Sequence, residues 1–256
     1  MRQPSRKLYF LYHELRSSDS AYSYVLENKV FESHLDCFAQ IAAKGDSALE
    51  PEITFDDGHI SNFEYALPQL QTRGLKAQFF ITVGWTGQKS GYMGWDKLRA
   101  LHAAGQLIGA HGWTHTLLTH CSAKQLQTEL SSSRHLLEDK LGTSITTMSL
   151  PGGRYNRRVL DACQDAGYTQ IYTSIPRSEP LPLGLAIGRL NVRRDMKLDW
   201  IADLFDPTGG ALPRLGLQYQ IKSAAQMVMG DRVYEKLWAL LNRQEPETDA
   251  AGAVQE

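Results

Sequence analysis

The chain has 256 residues, enough for one large domain or two small ones, and either would bury a substantial core. Its 27 Lys and Arg against 28 Asp and Glu leave a formal charge of -1, which argues against electrostatic capture of nucleic acid or an anionic membrane and favours a neutral or small polar substrate. Three widely spaced cysteines, Cys37, Cys121 and Cys163, form no CxxC pair and no even disulfide set, and so read as buried or idle thiols of a reducing compartment.

From the N-terminus, the apolar run Leu8 to Tyr12 is interrupted at once by His13 and Glu14, too short for a signal-peptide core. No run elsewhere approaches the roughly 20 apolar residues that cross a bilayer, so the expectation is a cytoplasmic protein without membrane insertion. Seven short apolar or β-rich runs follow one another at 7–13, 52–55, 75–83, 106–111, 144–150, 168–174 and 185–192. Between them lie helix-like segments, Val30 to Ala43, Ile60 to Arg73, Trp95 to Ala104, Ser122 to Leu141 and Asn156 to Ala166. Three end in a glycine suited to a helix C-cap, in "QTRGL", "HAAGQ" and "QDAGY". This alternation predicts an α/β fold with a mainly parallel sheet, open or closed into a barrel. A further helix, Leu217 to Asn242 with Leu237, Trp238 and Leu241 as packing residues, is expected outside the sheet, where it offers a surface for a homodimer. No linker or internal repeat divides residues 1–243, which read as one domain, and 244–256 read as a disordered polar tail.

The chemically capable residues fall at the ends of these runs. Asp56 and Asp57 end the second, in "TFDDG"; His111 ends the fourth with His115 just beyond, in "HGWTH"; and "PGG" at 151–153 ends the fifth. In barrels and open α/β sheets that edge is where active sites assemble. Two neighbouring carboxylates repel, so the pair is either solvated or held by something positive. His111 and His115, at i and i+4, are able to reach one ion, and a carboxylate from the pair completes a His, His, Asp set that leaves positions open for water. The second carboxylate is then placed to accept a proton from that water.

In order and spacing, "TFDDG" at 54–58, "HGWTH" at 111–115 and "LPGGRYN" at 150–156 resemble the first three motifs of the polysaccharide deacetylase family, the NodB-homology group of carbohydrate esterase family 4. The resemblance covers residues 8 to 193. It implies a distorted (β/α)7 barrel, here with an extra C-terminal helix, and metal-dependent hydrolysis of an N-acetyl group from a sugar or sugar conjugate. By position, Asp56 would be the base, and Asp57, His111 and His115 would hold the metal. Zinc suits that donor set, and cobalt, nickel, manganese or iron also fit it. Gly152 stands where the family offers a backbone N–H to the oxyanion.

Two departures stand out. The family's third motif begins with an arginine that steadies the catalytic aspartate, and Ser149 occupies that position here, which leaves Arg154 as the substitute. The family's late Leu-x-His, source of the general acid, is missing, since no histidine follows His135. His13 and His59 are placed at the same edge, and His13 is the preferred acid. Trp85, Tyr92 and Trp113 are candidates for stacking on a sugar ring. Two other readings stay open: an amide or formyl hydrolase of a small non-sugar molecule, and a catalytically silent carbohydrate-binding protein that keeps the metal.

Overall fold

A computed structural model describes residues 5–45, 47–206 and 209–229. All seven strand runs are present as members of one sheet. β1 (Arg6–Tyr12) pairs in parallel with β4 (Leu49–Phe55), β4 with β5 (Ala77–Ile81), β5 with β6 (Leu107–Ala110), β6 with β7 (Thr147–Ser149) and β7 with β8 (Gln170–Tyr172). The seventh run is one length of chain in two pieces, β10 (Ala186–Ile187) and β11 (Arg189–Asn191), separated by Gly188. Its first piece pairs with β8 and its second with β1, so a single strand ties together the two edges of the sheet and nearly closes a distorted (β/α)7 barrel. A Cβ at Gly188 would lie 2.5 Å from Arg177 Cγ and 2.6 Å from the Ile175 carbonyl oxygen. Only glycine lets the strand pass that close while it changes partners.

Parallel neighbours require crossover segments, and the predicted helices supply most of them. α1 (Asn28–Lys44) buries Phe31, His34, Leu35 and Phe38, the i, i+3, i+4, i+7 stripe of an amphipathic helix. α2 (Leu67–Thr72), α3 (Trp95–Ala103), α4 (Ala123–Gln127), α5 (Ser133–Leu141) and α6 (Arg157–Asp165) follow. Asn156 caps α6 by accepting from Val159 N–H, and Ser122 with Gln125 forms a capping box on α4. The glycines of "QTRGL", "HAAGQ" and "QDAGY" all take positive φ, as C-caps do. The predicted helices Ile60 to Arg73 and Ser122 to Leu141 are each interrupted by a π-helical turn, at Asn62–Ala66 and Thr128–Ser132.

Strand residues alternate between two apolar environments, as expected where both sheet faces are covered. Leu8, Phe10, Ile53, Phe55 and Phe79 face the helices, with Phe55 and Phe79 stacked at 4.9 Å and 4°. Tyr9, Phe80, Tyr172 and Ile187 fill the barrel interior. Three very short strands were not legible in the sequence: β2 (Glu14–Arg16) and β3 (Val25–Glu27), which pair with each other, and β9 (Glu179–Pro180), antiparallel to β1. After the barrel come α7 (Leu198–Asp203) and α8 (Ala211–Met229). α8 begins six residues earlier than predicted; Leu212 and Leu215 pack on the core, while Leu217 and Ile221 are exposed. The remainder of the predicted C-terminal helix, with Leu237, Trp238 and Leu241, and the tail 244–256 lie outside the described residues. Among the described residues no helix is long and apolar enough to cross a membrane.

Candidate metal centre and active site

Register brings the motif residues to one mouth of the barrel. Tyr12 is opposite Phe55, so His13 and Asp56 leave β1 and β4 side by side; Ala110 is opposite Met148, so His111 and Ser149 do the same on β6 and β7. Period-2 alternation then points these side chains inward along with Arg189 of β11, whose register partner Tyr9 faces the interior.

Asp56 is 3% exposed and fully bonded. Arg189, itself fully buried, grips it in a bidentate pair, Nη1 donating to Oδ1 and Nη2 to Oδ2, each at 2.8 Å. Ser149 Oγ donates to Oδ2 at 2.8 Å and accepts from Arg189 Nη2 at 2.7 Å. Thr173 O and Thr54 Oγ1 take the remaining guanidinium donors. Burial pushes the Asp56 carboxyl up, but the charges of Arg189 and His111 outweigh it and hold the group below the ordinary carboxylate range. The sequence points to Arg154 for this support; the structure gives the contact to Arg189, because the closing strand delivers it into the interior at the level of Asp56. Ser149, at the family's arginine position, supplies the third bond.

Asp57, His111 and His115 form a compact cluster. Asp57 Oδ1 lies 3.4 Å from His111 Nε2 and 3.3 Å from His115 Nε2, and the three ligand atoms lie within 4.8 Å of one another. Ligands of a tetrahedral site with bonds of about 2.0–2.1 Å stand roughly 3.3 Å apart, so the spacing suits a divalent ion. His111 Nδ1 is bonded to the Ser149 carbonyl at 2.9 Å, which leaves Nε2 facing the cluster. Asp57 Oδ1 is buried and makes no hydrogen bond of good geometry, meeting only the two imidazoles at 3.3 and 3.4 Å, an acceptor that a cation between the three atoms would satisfy. The residues therefore fit the metal that the resemblance implies. Asp57 and His115 are also the non-glycine residues with positive φ among those described, 74° and 64°. Such backbone is costly and persists where the surroundings fix it. Burial, then the His111 charge, push the His115 imidazole down to about 4, while burial of the Asp57 carboxyl is outweighed by the histidines, leaving it well below its usual range.

Gly152 sits in a 3-10 turn, Pro151–Gly153, at the end of β7, with φ +66°, a left-handed conformation that favours glycine. His13 is half-buried, its ring 5.4 Å from Tyr24 and its Nδ1 buried with no hydrogen-bond partner. Burial pulls its pKa down, partly offset by Asp57 and Asp56, which marks it as a neighbour of the cluster. His59 is bonded to Ser61 Oγ at 2.8 Å and lies 3.9 Å from Glu14. Trp85 packs against His115 with ring centroids 5.0 Å apart and planes tilted by 34°, and Lys89 Nζ lies 4.1 Å from the centroid of the Trp85 ring and 4.8 Å from that of Tyr92. Trp85 thus lies beside a cluster residue at the same mouth of the barrel.

Comparison with known proteins is consistent with this geometry. Residues 50–171 match the family model described as polysaccharide deacetylase. The Bacillus subtilis protein YxkH is 26% identical over 210 residues, 76% of this chain and 74% of its own length. The peptidoglycan-N-acetylglucosamine deacetylase PgdA of Listeria monocytogenes is 30% identical over 110 residues, which cover 43% of this chain but 22% of that protein. Among solved structures, the Streptococcus pyogenes deacetylase PplD in complex with acetate superposes with a TM-score of 0.72 at 18% identity, covering 80% of this chain and all of that one.

Proposed function

We propose, from the premise that residues 50–171 belong to the polysaccharide deacetylase family, that the protein hydrolyses the N-acetyl group of a sugar or sugar-containing intermediate. The observation that carries this reading is the Asp57, His111, His115 trio beside a buried carboxylate, Asp56, that Arg189 holds ionised. A metal-only site has no use for that second, tethered carboxylate, which weighs against a silent binding protein.

The trio would hold a divalent cation, zinc first among those the donors suit, and that cation supplies a Lewis acid that acidifies water and polarises the acyl oxygen. The substrate's acetamide enters the mouth of the barrel. Asp56 accepts a proton from the attacking water, since a carboxylate this strongly paired stays ionised at neutral pH. Gly152 N–H donates to the developing oxyanion; removing one such donor typically costs about 10²–10³ in rate. His13 delivers a proton to the departing amine nitrogen as the C–N bond breaks, and acetate and free amine leave. Burial lowers the His13 pKa, so the neutral imidazole predominates near pH 7 and the donating form is the minor, more acidic one. The alternative is an amide or formyl group on a small non-sugar molecule, which the same trio and Asp56 would serve.

The test is acetate release from N-acetylated monosaccharides, nucleotide-linked sugars, oligomers and polymers, using metal-stripped protein with zinc, cobalt, nickel or manganese added back. Metal-restored release is expected, and Asp56→Asn should abolish it while leaving metal stoichiometry unchanged. Release only from a non-sugar amide would select the alternative. An active Asp56→Asn protein, or one that has lost its metal, would overturn the division of roles between the two aspartates.

A further inference from the structure

We propose that Glu129 is a positioning residue of the metal centre: its buried carboxylate holds loop 112–115 in the backbone path that presents His115 to Asp57 and His111. The proposal rests on the reading of that trio as a metal site.

Glu129 belongs to a different element from the trio, the π-helical turn between α4 and α5, and is 3% exposed. Its Oε2 accepts from Trp113 N–H at 2.6 Å and Thr114 N–H at 3.0 Å, and its Oε1 accepts from the Thr114 hydroxyl at 2.6 Å. On the other side of the loop, the carbonyls of Gly112 and Trp113 accept from Val83 N–H at 3.1 Å and Gly84 N–H at 2.8 Å. The loop is therefore gripped on its donors by Glu129 and on its acceptors by the 3-10 turn Val83–Trp85 that follows β5, and the next residue is His115 with φ 64°. A non-glycine residue keeps such a conformation only where neighbouring bonds impose it.

The chemistry of the grip calls for a carboxylate. Three donors converge on two oxygens, whereas a carboxamide offers one acceptor oxygen and turns an NH₂ toward a backbone N–H. The fit is close: a Cβ at Gly112, where φ is +80°, would lie 2.8 Å from Glu129 Oε2. The π-helical turn is the kind of local irregularity that recurs at functional sites, and here it carries the carboxylate to the back of the loop.

The experiment is cobalt(II) titration of the full chain against a competing chelator, reading affinity and the visible ligand-field spectrum, for wild type, Glu129→Gln, Thr114→Val and His115→Ala. Outer partners of metal ligands are worth about 10–100-fold in affinity. Glu129→Gln is expected to lose that much and to shift its spectrum toward that of His115→Ala. Thr114→Val removes only the hydroxyl donor of an exposed residue, so it should fold normally and weaken binding several-fold in the same spectral direction. A folded Glu129→Gln protein with wild-type affinity and spectrum would overturn the proposal. Should that variant fail to fold, wild-type behaviour of Thr114→Val would do so. Wild-type protein that takes up no cobalt would overturn the metal reading and this proposal together, an outcome distinct from tight binding by every variant.

Discussion

At the residue scale, the buried Asp56–Arg189 pair decides how the centre behaves. Removing one partner of a buried ion pair typically costs about 3–5 kcal/mol because the other is left uncompensated. In Arg189→Met, burial acts on Asp56 with its main counter-charge gone, so the carboxyl pKa rises from its depressed wild-type position. The acid limb of kcat/KM should then move to higher pH, and Ser149→Ala should move it less; an unmoved limb in Arg189→Met would show that the guanidinium does not set the charge of Asp56. The Asp57, His111, His115 cluster and its neighbour Asp56 were legible in the sequence because their motifs are local and ordered. Arg189 was not: it lies 133 residues from Asp56, on a run that reads as an ordinary strand, and no local spacing marks which strand-facing arginine will point inward. The residue that could have signalled it is Ser149, whose small side chain at an arginine position leaves a buried carboxylate in need of a cation from elsewhere.

Elements were legible where apolar runs were long enough to have a period. The seven barrel strands and the stripe of α1 follow directly from alternation and i, i+3, i+4 spacing. The π-helical turns were not, since one extra residue per turn scarcely changes the apolar pattern, and β2, β3 and β9 are two or three residues long, below any periodicity. The closing strand invites a test at this scale. Gly188→Ala forces a methyl group against Arg177 and the Ile175 carbonyl, and overpacking of this kind costs about 1–3 kcal/mol. Thermal unfolding should register that loss, while metal affinity holds, because Asp57, His111 and His115 follow β4 and β6, neither of which pairs with β10 or β11. Loss of metal affinity in a folded Gly188→Ala protein would contradict that independence.

For the whole molecule, proton and metal linkage make separate predictions. His34 is buried, bonded to Tyr12 OH at 3.1 Å and the Met196 carbonyl at 2.9 Å, and burial pushes its pKa down to about 4. Its folded value is below its unfolded one of about 6.5, so below pH 6.5 the unfolded chain takes a proton that the native chain refuses. Stability from this group is intact above pH 6.5 and falls progressively to about pH 4, by about 2 kcal/mol at pH 5. Urea unfolding should show that slope flattened in His34→Gln relative to wild type. Metal acts in the opposite sense: at free ion concentrations near 100 Kd the folded state gains about 2.7 kcal/mol. The rise in unfolding temperature should disappear in His111→Ala, and a rise that survives would place the ion elsewhere.

The strand that shuts the barrel, residues 186–191, is also the one that delivers Arg189 to Asp56. In sequence order Asp57, His111 and His115 all precede that segment, so a chain ending before residue 189 would carry the trio but lack the guanidinium that pairs with Asp56. The last stave of the barrel thus both closes the sheet and completes the charge balance of its buried carboxylate.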